Sequence, residues 1–189
     1  MTDHFTASLG FVLRHECAYA EGHDGDLAFV VTEDVPGDSG GLTKWGIDAA
    51  DHPGVDIAGL TLDQASEIYR AGEWTECKCD LLPAGVDTAI FDAAVNQGVK
   101  RSVKMLQQAL FQRGLPIATD GELGPITLAL ALKEASIDRR GLLTEMLAQR
   151  RQWYGRIVSG NPPDAKFLNG WLNRVNDLQA FLQQGGMLA

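Results

Sequence analysis

The stretch Asp38-Ser39-Gly40-Gly41-Leu42-Thr43-Lys44-Trp45-Gly46-Ile47 decides how this chain is read. Asp-Ser followed by two glycines is turn chemistry, and Leu42 to Ile47 behind it reads as a strand. On that strand Thr43, Trp45 and Ile47 share one face. Upstream, Leu27, Phe29 and Val31 alternate in the same way, and Glu33 to Gly41 supplies Pro36, Gly37, Asp38 and Ser39 as well as the glycine pair. Strand, turn-rich loop, strand predicts one small β-hairpin.

The sequence on either side is helical in pattern. Phe5, Leu9, Val12 and Leu13 fall at i, i+4, i+7 and i+8, which predicts an amphipathic helix from about Asp3 to His15. Glu16 stands eleven residues after Phe5, about three turns at 3.6 residues per turn. A helix continued that far puts Glu16 at the end of its apolar face; a helix that frays first leaves the side chain in solvent.

From residue 60 the helical pattern holds to the end. Thr61-x-x-Gln64 is a capping box with Leu60 and Ala65 as its staple, opening a helix that ends near Trp74. Pro83 is read as the first residue of the next helix, whose core face is Val86, Ile90, Ala93 and Ala94 and whose stop is Gly98. A further helix carries Val103, Leu106 and Leu110 to Gly114. Asp120-Gly121 is a turn, and Gly124-Pro125 starts a short apolar helix. Two longer helices follow, through Leu143, Met146, Leu147, Arg150, Trp153 and Ile157, and through Phe167, Trp171, Val175, Leu178 and Leu182, joined by Gly160-Asn161-Pro162-Pro163. The fold class is mainly α, an α+β chain with one small hairpin near the N-terminus and a helical C-terminal half.

Composition narrows the function. The 189 residues hold 16 basic and 25 acidic side chains, a net charge of −9. No basic stripe is present to displace counterions, so nucleic acid is not an expected partner, and Lys100, Arg101 and Lys104 read as a solvated helix face. The longest apolar runs, Leu27 to Val31 and Leu128 to Leu132, are five residues, against the roughly 20 a membrane span needs. The three cysteines, Cys17, Cys77 and Cys79, lack zinc-clip spacing and the four histidines are scattered, so free thiols and no metal or other cofactor are expected. Met1 to Phe5 lacks the basic and long apolar regions of a signal peptide, and synthesis in the cytoplasm is the expectation.

A helix ending in a glutamate, followed by a hairpin bearing a carboxylate and a hydroxyl, suits glycoside cleavage. That reaction needs a proton donor at the leaving oxygen and a second group to hold water or stabilise the sugar cation. Glu16 is the candidate acid; Asp38 or Asp34, with Thr43, is the candidate opposite wall. Tyr19 and Trp45 are candidates for stacking on sugar rings, or are core aromatics. Lys44 is a candidate partner for a substrate carboxylate or acetamido oxygen. Asp92 and Asn96, at i and i+4, either line a groove or face the wet side of their helix. Asp120-Gly121 ahead of Gly124-Pro125 needs no ligand to explain it, being a tight turn before a helix start. Arg174 reads as a pin between the last helix and an acid or carbonyl in the core.

Glu16-Cys17-Ala18-Tyr19 and Asp38-Ser39-Gly40-Gly41-Leu42-Thr43-Lys44-Trp45-Gly46-Ile47 resemble the two N-terminal motifs of the glycoside hydrolase 108 family, lysozyme-like N-acetylmuramidases of bacteria and phages. The resemblance continues through Phe91-Asp92-x-Ala94-Val95-Asn96-x-Gly98, Leu106-Gln107, Asp120-Gly121-x-x-Gly124-Pro125-x-Thr127 and Gly170-Trp171-x-Asn173-Arg174. It runs in order along nearly the whole chain. Cys17-Ala18 stands where the family has two glycines, and the interval from Tyr19 to Asp38 is longer than the family's, which also brings Asp26, Glu33 and Asp34 into question as cleft residues.

The resemblance implies a lysozyme-like fold cutting the glycan strands of peptidoglycan at the MurNAc-GlcNAc β-1,4 bond, with Glu16 as general acid. It implies a catalytic lobe over residues 1–92 and a helical lobe over 93–189 resembling a predicted peptidoglycan-binding region, packed as one monomeric unit. The natural setting is a phage or prophage endolysin, held in the cytoplasm until a partner pore (a holin) admits it to the cell wall. A lytic transglycosylase using the same Glu16, or an inactive cell-wall-binding protein on the same scaffold, are the alternatives.

Overall fold

The computed structural model describes residues 4–34 and 40–188. The chain is 66% helical, with a small three-stranded antiparallel sheet near the N-terminus and a helical C-terminal half. It divides into two compact units, Met1–Gly72 and Glu73–Ala189.

In the first unit, helix α1 (His4–Glu16) buries Phe5, Leu9, Val12 and Leu13, the stripe its spacing predicts, together with Ser8 and Phe11. The guanidinium of Arg70 lies over the Phe5 ring, 4.8 Å from its centroid. The helix reaches Glu16 as its last residue, and the Cys17 amide still donates to the Leu13 carbonyl at 3.0 Å.

The strand expected over Leu27–Val31 does not form. Asp26 caps a short 3-10 turn over Leu27–Phe29, its carboxylate accepting from the Ala28 amide at 3.0 Å. Val30 makes a single antiparallel bridge to Tyr19. The alternation there buries no face, since Phe29 and Val31 are exposed and Phe29 stacks on His23 instead. The first strand, β1 (Glu33–Asp34), comes later and pairs with β2 (Leu42–Lys44), which pairs with β3 (Ile47–Asp48). The registers are Glu33 opposite Thr43, Thr43 opposite Asp48 and Lys44 opposite Ile47.

This register corrects the expected single strand through residue 47. Trp45 and Gly46 are a two-residue hairpin loop, with φ of 58° and 74°. Two positive φ values mark the loop whose twist matches that of its strands. A bulky residue resists that conformation, and two buried hydrogen bonds hold Trp45 in it. Its indole Nε1 donates to the Leu60 carbonyl at 2.9 Å, and the Tyr69 hydroxyl donates to the Trp45 carbonyl at 3.0 Å. Thr61 then caps helix α2 (Leu62–Tyr69) by the reciprocal capping box expected of Thr61 and Gln64. A wide turn over Arg70–Trp74, broken at Gly72, follows.

The second unit is built from α3 (Val86–Gln97), α4 (Val99–Gln112), α5 (Pro125–Gly160) and α6 (Ala165–Gln184). Pro83 precedes α3 rather than opening it: its carbonyl accepts from the Val86 and Asp87 amides, and Gly85 is the capping residue. Residues 86–94 of α3 are buried on every side, so it is the central helix of this unit. The expected division at residues 92 and 93 falls inside it. Pro125 is the first residue of α5, as its sequence predicts, but the short helix expected there runs on into the next one. Asp138 (φ −151°, ψ 75°) marks the join, and its carboxylate accepts from the Gly141 amide to restart the helix. The turn at Asp120-Gly121 is closed by Gln107, which donates to Asp120 at 2.7 Å and accepts from the Gly121 amide at 2.8 Å. Leu142, Leu143, Met146, Leu147, Val175, Leu178 and Leu182 complete the core. Among the described residues, no helix is long and apolar enough to cross a membrane.

Candidate active site

In the first unit a cleft of about 360 Å³ opens where α1 ends and the hairpin turns back, lined by Glu16, Gly40, Thr43, Gly46, Asp48, Ala50 and Asp51. Glu16 enters it because α1 runs its full length to that residue, leaving the side chain half-buried. The hairpin loop rests on it. A Cβ placed on Gly46 would stand 2.7 Å from the Glu16 Cβ and 2.6 Å from the Tyr69 hydroxyl oxygen, so no side chain fits at position 46.

Thr43 and Asp48 reach the cleft together because they are register partners on β2 and β3. The Thr43 hydroxyl donates to the Gly41 carbonyl at 3.2 Å. Asp48 accepts from the Asp51 amide at 2.8 Å, fixing the turn that brings Asp51 to the same wall. A Cβ at Gly40 would come 3.4 Å from the Asp48 Cβ, ordinary contact that places the glycine against this carboxylate. One proton-donor candidate, one hydroxyl and two further carboxylates thus line a single opening. Beside it, burial and then the charge of Glu16 push the Cys17 thiol up to about 12.

Asp48 and Asp51 are the cleft residues that sequence reading missed. The signal for Asp48 was the Trp-Gly pair: with a two-residue loop at 45–46, residue 48 necessarily faces Thr43. Of the alternatives, Asp26 is engaged in capping its own turn, Glu33 and Asp34 are exposed on β1, and Asp38 lies outside the described residues.

The candidate substrate contacts are placed elsewhere. Tyr19 donates its hydroxyl to the Leu13 carbonyl at 3.0 Å, Lys44 donates to the Ala58 carbonyl at 3.1 Å, and Trp45 is buried against Leu60. None of the three lines the cleft. They anchor the α1 end and the hairpin that shape it.

Asp92 and Asn96 belong to the second unit and face inward, on the side of α3 that sequence spacing could not choose. Asp92 is fully buried between Arg150, which donates through Nη1, and Arg174, whose Nε donates at 2.9 Å. Burial alone would raise its carboxyl, but the two guanidiniums outweigh this and hold it below the usual carboxylate range. Its burial leaves Asp92 no surface for a sugar, and its place is structural. Arg174 does pin the last helix to a core acid. Asn96 accepts from the Tyr154 hydroxyl at 2.6 Å and lines a separate cavity of this unit. All three cysteines are free, and among the described residues no three His, Cys, Asp or Glu side chains are grouped to hold a metal.

Residues 11–98 match the family described as glycosyl hydrolase 108, and residues 101–176 match a predicted peptidoglycan domain. The chain is also similar to a solved structure described as that of Brucella abortus SagA. The identity is 29%, the match covers 93% of this chain and 91% of that one, and the TM-score is 0.68. No curated protein matches.

Proposed function

We propose that this chain, whose residues 11–98 match glycosyl hydrolase 108 and 101–176 a predicted peptidoglycan domain, is a glycoside hydrolase acting on peptidoglycan, an N-acetylmuramidase that cuts the MurNAc-GlcNAc β-1,4 bond with Glu16 as its general acid. The observation that carries the reading is the convergence of Glu16, Thr43 and Asp48 on one cleft. A glycan strand laid along it meets a proton donor from the helix end and a hydroxyl and carboxylate from the hairpin.

In this scheme the Glu16 carboxyl gives its proton to the glycosidic oxygen as the bond from the muramoyl C1 breaks, and the leaving N-acetylglucosamine departs with a free 4-hydroxyl. Positive charge grows on the muramoyl ring, where the Asp48 carboxylate stabilises it. Thr43 orients the water that adds to C1; the water's second proton passes to a carboxylate of the cleft, and Glu16 regains its own from solvent. Asp51 adds negative potential to the wall facing the oxocarbenium ion. The lysis setting, with release to the cell wall through a partner pore, belongs to the same proposal and rests on the resemblance to phage-type members of the family.

Digestion of purified sacculi followed by borohydride reduction tests the bond assignment. N-acetylmuramitol at the new ends supports the muramidase; N-acetylglucosaminitol places the cut at the other linkage. Ends that resist reduction because they carry 1,6-anhydro-muramic acid convert the reading to a lytic transglycosylase.

A further inference from the structure

The second unit holds a cavity of about 250 Å³ lined by Asn96, Gln97, Arg101, Trp153, Tyr154, Ile157 and Trp171. Its aromatic faces are already taken. Arg101 covers the Trp153 ring with its guanidinium carbon 4.1 Å from the centroid, and Tyr154 stacks on Trp171 at 5.1 Å. Phe167 lies against Trp171 at 5.8 Å. An open platform for a sugar ring is therefore not what this pocket presents.

Two donors lie buried behind its lining. Among the described residues, neither the Nε2 of Gln97 nor the Nε of Arg101 has a hydrogen-bond acceptor. A buried donor that nothing accepts from is destabilising, and a bound acceptor removes that cost. Arg101 donates from Nη2 to Gln108, a neutral amide, at 2.7 Å. Burial, and then the neighbouring charge of Arg156, lower its hold on its proton. No lining residue is acidic, in a chain whose net charge is −9. Far from the solvated face that sequence reading gave it, Arg101 is half-buried on an indole, beside a second cation.

We infer that this cavity binds the carboxylate of a short peptide, the chemistry of the peptide stems on peptidoglycan, with Arg101 and Gln97 as the donors and Ile157 and Trp171 as the apolar wall. The inference rests on the reading that the chain acts on peptidoglycan, and it assigns the peptide to the second unit and the glycan to the cleft of the first. The volume suits one or two residues of a stem, being below the roughly 300 Å³ at which pockets begin to enclose drug-sized ligands. The carboxylate supplies the charge-assisted bonds that planar guanidinium geometry favours, and it relieves the repulsion between Arg101 and Arg156.

The test uses the full chain carrying Glu16→Gln. Three probes are titrated by calorimetry and tryptophan fluorescence: a stem tetrapeptide, the same tetrapeptide with its carboxylates amidated, and the GlcNAc-MurNAc disaccharide without peptide. The tetrapeptide is expected to bind and to perturb the fluorescence of Trp153 and Trp171. Amidation, or Arg101→Gln at an unchanged melting temperature, should weaken it by about tenfold or more, while disaccharide binding stays independent of Arg101. The inference is overturned by absence of tetrapeptide binding, by equal binding of the amidated peptide, or by a disaccharide whose binding depends on Arg101. Sacculus hydrolysis by the wild-type chain is scored separately. Cutting without tetrapeptide binding overturns the pocket alone, and tetrapeptide binding without cutting supports the pocket while removing the muramidase.

Discussion

Gly46 and Glu16 touch across the hairpin and the helix end, with no room between them for even a methyl group. The loop therefore seats against the first carbons of the Glu16 side chain as well as against Tyr69. Gly46→Ala should both strain the loop, whose φ of 74° costs an L-residue about 1–2 kcal/mol, and push Glu16 aside. The expected outcome is a lower melting temperature together with a loss of sacculus hydrolysis larger than the loss of folded protein. Calorimetry and dye release from labelled sacculi at a temperature where the variant is fully folded measure the two separately.

Thr43 and Asp48 face each other on β2 and β3 and open on the same cleft. Thr43→Ser keeps the hydroxyl and should retain activity, whereas Thr43→Val keeps the shape and should lower kcat. Asp48→Asn should lower kcat with little change in KM, because a carboxylate that stabilises developing charge acts in the transition state. Full activity in Asp48→Asn would remove this residue from the mechanism.

Asp92 is held below the usual carboxylate range because two guanidiniums outweigh its burial. A depressed value in the folded protein means stabilisation that is complete above the unfolded carboxylate value, about 3.9, and lost as pH falls through the folded value. The wild type should lose stability on acidification below about pH 4 in part through this group, and Asp92→Asn should lack that component. At neutral pH the same variant should be less stable by about 3–5 kcal/mol, since it removes the carboxylate charge from between two buried guanidiniums. Urea unfolding across the pH range checks both.

These outcomes bear on how far the sequence could be read. The amphipathic stripe of α1, the Thr61 capping box and the proline start of α5 were legible because each depends on local spacing. The strand at 27–31 was misread because alternation cannot distinguish a half-buried strand from a capped turn with exposed apolar tips, and only Asp26 hints at the latter. Trp45 was placed on a strand because a bulky residue at positive φ is tolerated only by partners distant in sequence, Leu60 and Tyr69. Asp92 and Arg101 share a different obstacle. Which side of a helix is buried follows from what packs on it, and Arg150, Arg174 and Trp153 lie more than fifty residues away in sequence.

Cys17 reports on its surroundings at the end of α1. Its thiol is held at about 12 by burial and, second, by Glu16, and it is the most accessible of the three, since Cys77 and Cys79 are buried. At pH 8 the wild type should react with a thiol reagent far more slowly than free cysteine, because the thiolate is the reactive form. Glu16→Gln removes the second cause and should speed the reaction of Cys17. An unchanged rate would remove Glu16 as a cause of the raised thiol.

The most direct measurement compares the wild type with Glu16→Gln on purified sacculi, by mass spectrometry of the fragments released, with circular dichroism to show that both are folded. The prediction is fragments ending in reducing N-acetylmuramic acid from the wild type, and a rate lowered by about 10²–10⁴ in the variant, the range that a lost general acid spans. Undiminished release of those fragments by folded Glu16→Gln would contradict Glu16 as the acid.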